Sequence, residues 1–276
     1  SCLLTDFLFF LAAISAASLQ TLAISAPENP GVCFDKNSML GKFENDPNQK
    51  LAIPLIGHSY YKKSRFDYYI KKILDDELLT PKDFFIKDFQ EILAYAKVRN
   101  IEVIPELGVP AHSRAAILAM EKRYRTFMQA GLEKEALAYR LADPEDESKY
   151  LSAQNFRGNT VCVCQESTYA FYEKLVVEIG KMYAAAGVEA KNWHSGGDEV
   201  PKGVWTASPI CADFLAKNSQ LQTGDLIDYF RERTATILQK YGWKMGGWEE
   251  IGQTHGTAAV SPNPKFANQD WKLYAW

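Results

Sequence analysis

Histidine is scarce in this sequence, four residues in 276, and no HxxEH run or second closely spaced histidine pair accompanies them. A metal centre of the zinc-hydrolase kind is therefore not what the chain offers. Basic charge is in short supply too: 31 lysines and arginines against 34 acids leave a formal net charge of -3. Without a basic stripe nucleic acid is a poor partner, and a neutral ligand such as a sugar fits better. Cysteine is limited to Cys2, Cys33, Cys162, Cys164 and Cys211, too few to build a fold from disulfides but enough for one or two bridges. The spacing Cys162-Val163-Cys164 is not the CxxC of redox or zinc sites, so structural cysteine is the default reading. There is no short-period repeat and no low-complexity tract, and with 47% hydrophobic residues the chain can bury one substantial core.

One long stretch lacks charge altogether. Residues 7–26 hold no Lys, Arg, Asp or Glu, are rich in Leu, Phe and Ala, and place the small Ala23 and Ser25 before a cleavage-like point. Residues 1–26 read as a secretory leader, which implies an exported protein: periplasmic, outer-membrane-associated or extracellular. Asp6, and the lack of Lys or Arg ahead of the run, keep a buried helix open as the alternative. A stable membrane span is disfavoured by the Ser, Thr and Gln residues between Ser15 and Ser25. Residues 27–79 form a connector or divergent N-terminal part, rich in Pro, Asn and Gly at its start, with Leu51 to Gly57 as a short apolar strand candidate.

From residue 80 the pattern sharpens. Thr80 as N-cap and Pro81 at the first helical position open a helix with Phe85, Phe89, Leu93 and Ala96 on one face, ending at Asn100. Ile101 to Pro105 then reads as a buried parallel strand. A second helix covers Ser113 to Ala130 and stops at Gly131; a third covers Glu166 to Ala186, with Phe171, Leu175, Ile179 and Met182 inward. Val188 to His194 follows as a strand, then a helix from Gly224 to Tyr241, a strand from Trp243 to Trp248 and another from Trp271 to Trp276. Helix then strand, repeated, predicts an α/β fold on a parallel sheet, and acids at the strand C-termini point to a (β/α)8 TIM barrel with its site at that rim. About four strands are visible where a closed barrel takes eight. With no Met at position 1 and an apolar Trp at the end, residues 80–276 read as an incomplete barrel and the chain as a fragment.

Two strand ends carry the chemistry. His194-Ser195-Gly196-Gly197-Asp198-Glu199 sets adjacent carboxylates behind two glycines, and paired acids at a strand end suggest hydrolytic acid–base work. Neighbours within a regular strand face opposite ways, so Asp198 and Glu199 serve one pocket only if the strand has already ended. A metal reading would take His194, Asp198 and Glu199 as mixed ligands, but nothing else in the sequence supports it. Ile104-Pro105-Glu106-Leu107-Gly108-Val109-Pro110-Ala111-His112 again runs a strand into a loop with an acid and a histidine, making His112 a candidate to orient a catalytic carboxylate. Trp248, followed by Glu249 and Glu250, and Tyr274 and Trp276 offer flat rings for pyranose faces, with acids nearby for hydroxyls; core packing is the competing reading for each tryptophan.

The stretch from His194 to Glu199 resembles the HxGGDE signature of glycoside hydrolase family 20, the β-N-acetylhexosaminidases, and Ile101 to Ala116 is similar to that family's IEVIPEIDMPGHARA segment. The likeness continues through Met120 to Tyr124 and Tyr139 to Pro144, in the manner of bacterial chitobiases, and covers roughly Thr80 to Trp276. It implies a (β/α)8 barrel, of which about strands three to six lie here, and a retaining, substrate-assisted release of terminal N-acetylglucosamine from chitobiose, chitin oligosaccharides or glycans. No cofactor and no metal are implied. By resemblance Asp198 orients the acetamido group and steadies the oxazolinium intermediate, and Glu199 protonates the leaving oxygen and then activates water. His112 matches a histidine near the acid, Trp248 a pocket wall, Glu249 or Glu250 an acid beside it, and Cys164 with Cys211 a bridged pair. Glu106, His194 and Trp276 complete the supporting set.

The departures define a second reading. Gly108 stands where the family usually has Asp, and the sugar-gripping Arg and the His-pairing Asp of the first two strands have no clear counterpart before Thr80. The late Tyr-x-Asp and the final Trp with its acid are not found up to Trp276. An inactive sugar-binding or structural remnant of the family is the alternative these gaps motivate.

Overall fold

The structure is a computed structural model and describes residues 23–25, 81–255 and 260–275. The leader-like run outside 23–25, the connector and the Leu51 to Gly57 strand candidate, Thr80, and Trp276 lie outside the described residues. Four short strands carry the frame: β2 (Glu102–Ile104), β3 (Asn192–His194), β4 (Lys244–Trp248) and β5 (Lys272–Tyr274). β3, β4 and β5 pair in parallel, with Trp193 opposite Met245 and Gly247 opposite Leu273. A parallel bridge from Glu106 to His194 joins β2 to β3, secured by His194 N–H to Pro105 O and Leu107 N–H to His194 O, both at 2.9 Å. Along the far edge of β2 lies β1 (Ala23–Ser25), antiparallel, with Ile24 opposite Val103. It occupies ladder groups that an edge strand would otherwise leave open.

The connections are helical where the periodicity predicts them: α1 (Pro81–Lys97), α2 (Arg114–Gln129), α4 (Glu166–Ala185) and α6 (Leu226–Lys240). Leu93 and Ala96 of α1 and Phe171, Leu175, Ile179 and Met182 of α4 are buried as their spacing requires. Two helices lie outside the sequence reading, α3 (Glu133–Leu137) and α5 (Pro209–Lys217). The strand expected from Val188 is shorter: Asn192 is its first regular residue, with Lys191 O accepting from Lys244 N–H at 2.8 Å just ahead of it. Strict helix–strand alternation also fails between β4 and β5, where the described residues hold only single turns of 3-10 helix, Glu249–Gly252 and Pro264–Phe266. Beneath the strands an aromatic cluster fixes their spacing. Trp193 meets Trp243 edge to face at 5.3 Å and Tyr172 at 6.0 Å, Tyr183 meets Trp243 at 5.2 Å, and the Tyr183 hydroxyl donates to Val103 O at 2.7 Å.

Candidate active site

The C-terminal ends of β2, β3 and β4 converge through backbone bonds that only glycine permits. Beyond His194 the chain leaves the regular strand: Ser195 N–H donates to Gly246 O at 2.8 Å, and Trp248 N–H to Gly196 O at 2.9 Å. Gly196 has φ 62° and presses on its neighbour so closely that a Cβ would lie 2.6 Å from Gly108 Cα. At Gly197, φ 94°, a Cβ would lie 2.2 Å from Ile251 Cγ2. The first contact closes the gap between the Glu106–His112 loop and the Ser195–Glu199 loop, and the second seats the latter on the turn after β4.

The loops bring together Asp198, Glu199 and His112. His112 Nε2 lies 3.1 Å from Asp198 Oδ2 and 3.5 Å from Glu199 Oε2, the three side chains being 10%, 15% and 28% exposed. Glu199 adopts φ 50° and His112 φ 54°, conformations that side chains bearing a Cβ rarely take. That turn solves the problem the sequence poses, because consecutive acids reach one point only when the backbone abandons the strand. Nε2 is not in line for a hydrogen bond with either carboxylate. The close approach of Asp198 nonetheless raises the His112 pKa above 6.5, helped by the charges of Asp198, Glu199 and Glu106 and opposed by burial. A protonated imidazole held between two carboxylates is the arrangement this favours.

His194 does different work. It is 2% exposed, its Nδ1 accepts the Gly196 N–H at 3.2 Å, and burial pushes its pKa down to about 4. Its 3.5 Å approach to Glu106 is therefore a contact of neutral imidazole. Trp248 packs on it at 4.7 Å and Tyr274 at 4.9 Å, so His194 joins the ends of β3, β4 and β5 as a packing element. The disfavoured set His194–Asp198–Glu199 is not brought together among the described residues, whereas His112, Asp198 and Glu199 have ligand atoms within 4.8 Å of one another.

The remaining candidates are at the rim or behind it. Glu106 is buried at the end of β2, Trp248 ends β4 half-buried, and Glu249 and Glu250 open the 3-10 turn that follows. Glu249 Oε2 is buried without a hydrogen-bond partner among the described residues, and the Glu250 carbonyl accepts from Arg231 at 2.6 Å. Cys164 and Cys211 are bonded, tying the loop before α4 to α5, with Cys162 as a buried free thiol. One participant was missed: Gln154 Nε2 donates to Glu199 Oε2 at 2.6 Å. A loop glutamine 45 residues upstream carries no periodicity that reveals it.

Carboxylates gathered at the C-terminal rim of parallel strands define a hydrolase-type site on an α/β scaffold. Residues 75–276 match the glycosyl hydrolase family 20 catalytic domain, and the chain belongs to that family. It is 38% identical over 192 residues to a β-hexosaminidase of Vibrio vulnificus, covering 69% of this chain and 22% of that protein. An N,N'-diacetylchitobiase of Vibrio harveyi is 47% identical over 113 residues, 41% of this chain and 13% of that one. Among solved structures, the family 20 exo-β-N-acetylglucosaminidase of Vibrio harveyi with N-acetylglucosamine aligns at TM-score 0.53 and 28% identity, covering 69% of this chain and 25% of the other. The family's TIM-barrel fold accounts for the consecutive parallel strands. The chain spans about a quarter or less of the length of these relatives.

Proposed function

We propose that this chain carries the catalytic carboxylates of an exported β-N-acetylhexosaminidase that removes terminal, non-reducing N-acetylglucosamine, its described strands β2 to β5 being strands three to six of the barrel. The observation that carries the reading is the convergence of Asp198 and Glu199 on one imidazole, at 3.1 and 3.5 Å from His112 Nε2. In this retaining route the nucleophile belongs to the substrate, so the carboxylate spacing that separates inverting from retaining enzymes does not apply. The substrate's acetamido oxygen attacks the anomeric carbon, and Asp198 orients the amide and balances the positive charge that develops on it. Glu199 gives its proton to the leaving oxygen, then takes one from the water that opens the cyclic intermediate. His112 lies close to both acids, and protonated it offsets their mutual repulsion once Glu199 has given up its proton.

The test is turnover of 4-nitrophenyl N-acetyl-β-glucosaminide, by the chain itself and by a version completed at both ends with the flanking catalytic-domain segments of the Vibrio vulnificus relative. The reading predicts hydrolysis of this substrate, none of the plain β-glucoside that lacks the nucleophile, and severe loss in Asp198→Asn. Equal hydrolysis of the glucoside would defeat the substrate-assisted route. Sugar binding without turnover in both versions would favour the remnant reading and turn attention to Gly108.

A further inference from the structure

One donor and one close neighbour meet the same oxygen of the acid. Gln154 Nε2 reaches Glu199 Oε2 at 2.6 Å, and His112 Nε2 approaches the same atom at 3.5 Å. The Gln154 amide presents N–H, so Oε2 serves as acceptor, and a proton placed on it would face that donor. The transferable proton of the acid is thereby left to Oε1. An amide makes this assignment without charge and without titrating, so it holds at every working pH.

The loop bearing Gln154 is built rather than loosely draped. Ser152 is buried and receives the Phe156 N–H on Oγ at 3.0 Å, its own N–H donates to Phe156 O at 3.0 Å, and Asn155 N–H returns to Ser152 O at 2.9 Å. Asn155 closes the turn with φ 61°, a conformation asparagine tolerates. The loop is sewn to the segment bearing His112: Ser113 N–H donates to Asn159 O at 2.8 Å and Val161 N–H to Pro110 O at 2.9 Å. Arg114 donates to Arg157 O and lies 5.4 Å over the Phe156 ring. Gln154 and the His112 that approaches Oε2 therefore sit on one stitched unit.

We infer that Gln154 is a positioning residue for the acid step: it sets the plane of the Glu199 carboxyl and reserves Oε1 for proton transfer. In that step the Oε1–H proton passes to the glycosidic oxygen as its bond to the anomeric carbon breaks, the aglycone leaves as a neutral alcohol, and Glu199 becomes a carboxylate. The inference rests on the general-acid reading of Glu199 proposed above.

The experiment uses phenyl, 4-nitrophenyl and 2,4-dinitrophenyl N-acetyl-β-glucosaminides. These leaving groups are similar in size and differ in how much proton donation they need, which separates aiming of the acid from contact with the aglycone. For Gln154→Leu in the completed version, kcat on the phenyl substrate is expected to fall about tenfold, and on the dinitrophenyl substrate to stay within about twofold, with KM little changed. An equal fall on all three would show a merely structural role, and no fall on any would show no role; either overturns the inference. Glu199→Gln runs alongside. If that variant keeps the parent rate on the phenyl substrate, or if the parent has no turnover, the acid reading itself fails and takes this inference with it.

Discussion

Replacing Gly197 by alanine should destabilise the protein far more than a surface glycine change, and the structure separates the reasons. The first is backbone: at φ 94° a residue with a Cβ is held in a conformation L-residues avoid, worth about 1–2 kcal/mol. The second is space: the new Cβ would sit 2.2 Å from Ile251 Cγ2, well inside the ~3.5–4.0 Å of ordinary carbon contact. Ile251 is 1% exposed and has little room to retreat, so overpacking adds about 1–3 kcal/mol. The sum is roughly 2–5 kcal/mol. Gly131 supplies the control, since its φ is 73° and nothing lies within 4 Å of the Cβ it would gain. Gly131→Ala should show the backbone part alone, about 1 kcal/mol. Urea unfolding of the two variants measures both, and in a double-mutant cycle Gly197→Ala should cost less in an Ile251→Ala background than in the parent, because Cγ2 is gone. If Gly197→Ala were no worse than Gly131→Ala, the close packing of the loop bearing the acids would be refuted.

Other consequences can be checked in the same preparations. The raised His112 pKa means that its ion pairing stabilises the fold fully below about pH 6.5 and that the contribution is lost as pH rises through the folded-state value. The stability gap between parent and His112→Asn in urea should therefore be wider at pH 5.5 than at pH 9. Burial pushes the Cys162 thiol up to about 11, so iodoacetamide at pH 8 should leave the Cys162 peptide unmodified in folded protein and alkylate it in denaturant, as read by mass spectrometry. The Cys164–Cys211 bridge spans 47 positions, and by the chain-entropy argument its loss in Cys211→Ser should cost about 4 kcal/mol in urea. Arg233 pairs with a Glu166 that is 77% exposed, so Glu166→Gln should change stability by less than about 1 kcal/mol.

Long amphipathic helices were legible because their apolar spacing is local: Leu93 and Ala96, or Phe171, Leu175 and Ile179, announce a buried face within one element. The two motifs were legible as chemistry because an acid beside glycines at a strand end is unusual. Their convergence was not, since it depends on the left-handed turns at Glu199 and His112, which the alternation rule for strands cannot express. His194 was read as a supporting or ligating group because its packing partners Trp248 and Tyr274 are distant in sequence and only the parallel pairing brings them to it. α5 left a readable signal that went unused. Ser208 accepts the Cys211 N–H at 3.1 Å directly before Pro209 at the first helical position, a recognisable helix start. Gln154 left none, because a loop residue acts through tertiary contact alone.

The most direct test of the central claim is the rate of hydrolysis of 4-nitrophenyl N-acetyl-β-glucosaminide by the version completed at both ends, with and without Glu199→Gln. The account predicts turnover in the parent and a fall of about 10²–10⁴-fold in the variant, the range expected when a positioned general acid is removed. A variant that matches the parent, or a well-folded parent with no turnover, would contradict it.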